Sequence, residues 1–174
     1  MGKKKSNRQR RQTSEVPIIG ELFEEQETDI IKSLLEIPIG EEVTFYIDSG
    51  GGSVYSAISI ASLMRYREIK GTAVVLGECS SSSIMIFAAC QRRFVTARSV
   101  FLFHRVKWRS EKDVRSEEAA HWVQHFKWLE SEADDYQATM LGKPKEIFAK
   151  WIEEGKFVLG KDMVELGLAE MIDV

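Results

Sequence analysis

Residues 43–54 read VTFYIDSGGGSV, five β-branched or aromatic residues followed by Asp48, Ser49, three glycines and Ser53. The first five have the composition of a buried strand, and the glycines predict that it ends in a tight turn. Ser53 is placed to cap a helix, and Val54, Ala57, Ile58, Ala61 and Met64 supply that helix with an apolar stripe at three- and four-residue steps. The unit then recurs: an apolar strand at 73–76, a turn of small residues, and an apolar helix from about 82 to 89. Upstream, residues 16–20 (VPIIG) predict a short strand that Pro17 limits to an edge or a strand start, and Ile30, Ile31, Leu34 and Leu35 follow at helical spacing. Downstream, strands are expected at 94–96 and 100–103.

A long amphipathic helix should then span residues 116–141, with Ala119, Trp122, Val123, Phe126, Leu129, Ala133, Tyr136 and Met140 on one face and Gly142 and Pro144 as its stop. It is expected to project or to pack between subunits. Short helices at 147–152 and 161–167 lead into a closing apolar stretch. Alternating strands and helices mean an α/β fold with a mainly parallel sheet.

With 44% hydrophobic and 29% charged residues, the 174-residue chain reads as one globular domain over 16–174 behind a basic, disordered tail at 1–15. Lys3, Lys4, Lys5, Arg8, Arg10 and Arg11 meet no acid in the first twelve residues, so the rest of the chain is more acidic than its net charge of −3 suggests. Such an arm is able to bind phosphates, but a solvated tail suffices to explain it, which argues against a nucleic-acid partner. Apolar runs long enough to span a membrane and a secretory h-region are both missing from the sequence. Its two cysteines, Cys79 and Cys90, sit in apolar contexts. A reduced, cytoplasmic protein is expected.

Chemistry belongs to the strand ends. Gly50-Gly51-Gly52 allows close backbone approach to an oxyanion or phosphate, yet the loop lacks the Gly-Lys-Ser/Thr ending of a nucleotide loop and the third glycine of a dinucleotide fingerprint. Ser80, Ser81, Ser82 and Ser83 form a second strand-to-helix turn, where serines ordinarily act as caps but where a hydroxyl would also lie beside free helical N–H groups. His104 closes the strand at 100–103 and is positioned to serve such a serine as general base. His121 and His125 have the i, i+4 spacing of a zinc pair, but Trp122 stands where a zinc protease carries glutamate and no third ligand is apparent. Trp122, Trp128, Phe126 and Tyr136 keep a helical register that assigns them to core or subunit interface rather than to base stacking.

These elements, in this order, resemble the Clp protease proteolytic subunit over residues 18–173. Tyr46-Ile47-Asp48-Ser49-Gly50-Gly51-Gly52-Ser53-Val54 is similar to the family's Y-I-N-S-P-G-G-S-V. Gly77-Glu78-Cys79-Ser80-Ser81-Ser82 is similar to G-Q-A-A-S-M, Ser99 through His104 to S-R-V-M-I-H, and the segment from Lys156-Phe157-Val158 to Glu165-Leu166-Gly167-Leu168 to the closing R-F-L-S-A-x-E-A-x-E-Y-G-L. The resemblance implies a Clp protease/crotonase-like spiral of βαβ units, with residues 116–141 as the protruding handle helix that interlocks two stacked rings. It also implies a serine endopeptidase in which Ser81 is the nucleophile and His104 the base. The backbone N–H groups of Gly51 and Ser82 would form the oxyanion hole, and the substrates would be unfolded polypeptides threaded into an oligomeric chamber. No metal or organic cofactor is implied.

Three positions depart from the pattern. Gly155 stands where the family places the triad aspartate, leaving Glu154, or Glu153, as the candidate third member. Ser83 replaces the glycine two residues after the nucleophile and is expected to add a side chain near the peptide groove. The segment before Val16 does not resemble the apolar axial loop with which the family engages its unfolding ATPase, which argues against a Clp-type ATPase partner. Two other readings follow from these departures and from the shared core: a catalytically degenerate ring subunit, and an acyl-CoA enzyme of the crotonase kind. The related signal-peptide peptidases pair serine with lysine, and the histidine position favours the Clp type.

Overall fold

The computed structural model describes residues 14–108 and 113–173. Along them run β1 (Ser14–Leu22), α1 (Glu24–Glu36), β2 (Glu42–Gly52), α2 (Val54–Tyr66), β3 (Lys70–Cys79), α3 (Ser83–Ala89), β4 (Arg92–Val95) and β5 (Val100–Leu102). There follow α4 (Ser116–Leu141), α5 (Lys145–Glu154), β6 (Phe157–Leu159), α6 (Gly160–Glu165) and β7 (Glu170–Met171). The main sheet has the order β1-β2-β3-β4-β7, and every pairing in it is parallel. The end of β3 pairs in parallel with β5, which in turn pairs antiparallel with β6. The fold is thus α/β with a mainly parallel sheet, as the sequence leads one to expect.

Alternation explains why these segments are strands. In β2 the buried positions include Val43, Phe45 and Ile47, and in β3 Ala73 and Val75, one side of each pleat facing the helices. Ala57, Ile60, Ala61 and Met64 of α2 close over that face, and α3 is buried from Ser83 through Ala88. Fully buried Phe45, Phe87 and Phe101 anchor the interior, each worth roughly 1.5–3 kcal/mol relative to exposure. Pro17 lies in β1, which among the described residues pairs with β2 alone and so forms a sheet edge, where proline is tolerated.

Four expectations are revised. The glycine run is not a turn after β2 but its last part: an extra residue in β2 between Asp48 and Gly51, opposite Ile19 to Glu21 of β1, lets Gly51 and Gly52 pair with Glu21 and Leu22. Strand β6 falls between the two short helices that the sequence predicts and β7 within the closing apolar stretch, neither of them expected, since three- and two-residue strands are too short to show periodicity. Trp122 and Trp128, on the N-terminal half of α4, are 48% and 55% exposed and do not enter this chain's core. The strand β1 takes in Ser14 and Glu15, two residues assigned to the tail; residues 1–13 of that tail lie outside the described residues. No helix among the described residues is long and apolar enough to cross a membrane.

Candidate active site

Three parallel-strand ends converge, as the topology of α/β sheets favours. Gly51 lies at the end of β2, Ser81 two residues beyond β3, and His104 two beyond β5. All three border one cavity of about 410 Å3, together with Ser82, Met85, Leu102, Ile152 and four side chains of α4: Glu130, Ala133, Asp134 and Gln137. A cavity of that size is in the range that accepts a peptide side chain or a small ligand.

Ser81 is held in the left-handed region at φ 55°, an uncommon conformation for a residue with a side chain. Tertiary bonds hold it there. Its N–H donates to the Leu102 carbonyl at 2.9 Å, while the Leu102 N–H donates to Ser80 Oγ at 3.0 Å. The serine turn is thereby stitched to the strand that delivers His104. On the other side the Ser80 N–H donates to the Ser49 carbonyl at 3.0 Å. Gly51 makes this approach possible. At φ 87°, a Cβ there would lie 2.5 Å from the Ser80 carbonyl oxygen, 2.7 Å from Ser81 Cβ and 2.9 Å from the Ser82 nitrogen.

Two residues behave differently from expectation. The Gly51 N–H points inward and donates to the Ser49 hydroxyl at 3.1 Å, so it does not face the cavity as an oxyanion donor in this arrangement. The Ser82 N–H has no hydrogen-bond partner among the described residues, because the donors of the turn that are engaged are those of Ser80, Ser81 and Ser83. Ser83, expected near the peptide groove, is fully buried instead. Its hydroxyl donates to the Ser80 carbonyl at 2.7 Å and lies 3.2 Å from the Ser49 carbonyl, joining the two turns from behind.

The histidine is half-buried, and its Nδ1 lies 2.6 Å from the Arg105 carbonyl oxygen. A carbonyl only accepts, so this bond requires the proton on Nδ1 and leaves Nε2 with a lone pair. The ladder between β5 and β6 pairs Leu102 with Phe157, and the Phe103 N–H donates to the Lys156 carbonyl at 3.0 Å. Gly155 caps α5 at φ 62° and offers no carboxylate. Glu154, the tentative third member, ends α5 with its carboxylate 4.0 Å from Lys150 Nζ, and neither it nor Glu153 borders the cavity.

Acidity comes from α4 instead. The Val106 N–H donates to Glu130 Oε1 at 3.1 Å, and the Arg105 guanidinium reaches Asp134 Oδ2 at 3.5 Å. Burial pushes the Asp134 carboxyl above its ordinary value, opposed by Arg105 and Lys145. Sequence reasoning read this stretch, WLESEADDYQ at residues 128–137, only for its apolar stripe. The available signal was that Glu130 and Asp134 are four apart and therefore share a helix face beside Ala133 and Gln137. His125 stacks on the Tyr55 ring at 6.2 Å and bonds its hydroxyl, with Trp128 tilted beside it at 5.7 Å, while His121 is exposed.

The parallel sheet under its helices, with a left-handed strand-end serine and a histidine on one cavity, defines an α/β protein whose candidate site lies at its strand ends. A sequence model of the Clp protease family matches residues 4–173, and the chain belongs to that family, one of peptidases. It is 24% identical over 162 residues to the ATP-dependent Clp protease proteolytic subunit of Pleurastrum terricola, covering 90% of this chain and 82% of that protein. The protein of the same description from Leuconostoc citreum (strain KM20) is 29% identical over 94 residues, 51% of this chain and 47% of its own length.

Proposed function

We propose that this protein is a serine endopeptidase that cleaves unfolded polypeptides inside a chamber formed by an oligomeric ring, in a cytoplasmic setting. The observation that carries the reading is the left-handed Ser81 turn, tied to Leu102 on the strand that leads to His104, with both residues on one cavity. Ser81 Oγ attacks the scissile carbonyl carbon while His104 Nε2 takes the hydroxyl proton. The resulting oxyanion is met by the Ser82 N–H, and the Gly51 N–H joins it by exchanging Ser49 Oγ for the substrate oxygen. The imidazolium then hands its proton to the leaving nitrogen as the C–N bond breaks. Water, deprotonated by His104, hydrolyses the acyl-enzyme and frees Ser81. The apolar wall of Met85, Leu102 and Ile152 suits a substrate side chain.

A second reading, a catalytically degenerate ring subunit, is favoured by Gly155 at the position of the family's aspartate and by the pairing of Glu154 with Lys150. A fluorophosphonate probe separates the two. Covalent labelling of the wild type that vanishes in Ser81→Ala, and falls at least a hundredfold in rate in His104→Ala, supports the peptidase. Failure of the folded wild type to label decides for the degenerate subunit.

A further inference from the structure

We propose that Glu130 is the carboxylate that positions His104, acting through the peptide group between Arg105 and Val106; this rests on the reading of His104 as general base. Both hydrogen-bonding ends of that single peptide are engaged. Its carbonyl lies 2.6 Å from His104 Nδ1, and its N–H donates to Glu130 Oε1 at 3.1 Å. Because the peptide C–N bond is conjugated, a carboxylate bonded to the N–H draws the proton's positive charge and increases negative charge on the carbonyl oxygen. Hydrogen bonds in such a chain strengthen one another, most of all where water is excluded. The oxygen facing Nδ1 is thereby a better acceptor than an ordinary carbonyl. It holds the Nδ1–H tautomer and partly stabilises the imidazolium that forms when Nε2 takes the Ser81 proton.

Two further observations place the peptide rather than leave it to a mobile loop. Asp134, one turn beyond Glu130 on α4, has only 10% of its side chain exposed and pairs with the Arg105 guanidinium at 3.5 Å. Phe103, just before the histidine, is buried and bonded to Lys156. The histidine therefore sits between a ladder on one side and a helix-anchored peptide on the other. Besides Glu130, the charged groups bordering the cavity are Glu21, Arg105, Lys107 and Asp134, and the Arg105 charge is directed to Asp134. Glu130 is the carboxylate bonded to the peptide that His104 contacts.

The experiment compares Glu130→Gln, which keeps an acceptor oxygen but loses the charge, with Glu130→Ala, which loses both. Folding of each is checked by circular dichroism. For peptide hydrolysis, Glu130→Gln should lower kcat on the order of tenfold with little change in KM, the scale on which groups that orient a reacting ligand act. Glu130→Ala should lose more. With 15N-labelled histidine, the His104 signal should show Nδ1 protonated in the wild type and a tautomer mixture in Glu130→Ala. Wild-type kcat and an unchanged tautomer signal in both variants, or loss confined to Glu154→Gln, would overturn the proposal. Should the wild type itself prove inert, the peptidase reading fails, and the tautomer signal still decides on Glu130: a shift supports the contact, and an unchanged signal refutes it.

Discussion

Gly51 and Ser81 show how much of the site is decided by a single missing Cβ. The 2.5 Å and 2.7 Å approaches to Ser80 and Ser81 leave no room for a methyl group, and the positive φ at Gly51 adds strain for any L side chain. Gly51→Ala should therefore cost roughly 1–3 kcal/mol, read as a lower urea midpoint, and should slow fluorophosphonate labelling by pushing the Ser81 turn off its ladder with Leu102. A variant matching wild type in both would mean that the two turns do not pack as described. At this scale Ser81 and His104 were legible because each follows an apolar strand and carries a residue type with its own chemistry. The inward turn of the Gly51 N–H and the burial of Ser83 were not, since both depend on which neighbouring strand lies alongside. Glu154 was proposed from adjacency in sequence to Gly155. Its position as the last residue of α5 pairs it with Lys150, four residues earlier on the same helix.

Among the elements, α4 was read with its bounds as they stand, because Gly142 supplies an unambiguous left-handed cap at φ 63°. What its faces do was harder to read. The N-terminal half leaves Trp122 and Trp128 exposed, while the C-terminal half buries Leu129, Ala133, Asp134, Gln137 and Ala138. The buried acid carries a pH signature. Burial raises the Asp134 carboxyl, so the folded chain holds that proton more tightly than the unfolded chain. Its contribution to stability is accordingly present at low pH and is lost as pH rises through the raised value. The stability of wild type minus that of Asp134→Asn should fall as pH rises above the ordinary carboxylate range. Urea titrations of both proteins across that rise check the sign, and a difference that rises with pH would contradict it.

For the whole molecule, exposed Ile19, Phe23, Leu35, Ile39, Tyr66, Trp122 and Trp128 leave more large apolar surface in water than scattered single residues require. If the ring proposed above forms, sedimentation should give a multiple of 19.9 kDa, and Trp122→Ser combined with Trp128→Ser should shift the distribution toward smaller species. Wild type sedimenting as a monomer at micromolar concentration would remove the chamber.

What the amino-acid order determined alone was local: where strands alternate with helices, which residues stand at strand ends, and that a serine and a histidine are among them. Those features follow from side-chain periodicity and turn chemistry within a dozen neighbours. Tertiary structure decided the rest. Pairing of β5 with β6 set Leu102 opposite Phe157, and packing of α4 over the cavity brought Glu130 to the peptide after the histidine. Both are contacts between segments far apart in the chain, fixed by register and helix packing rather than by anything the two segments display singly.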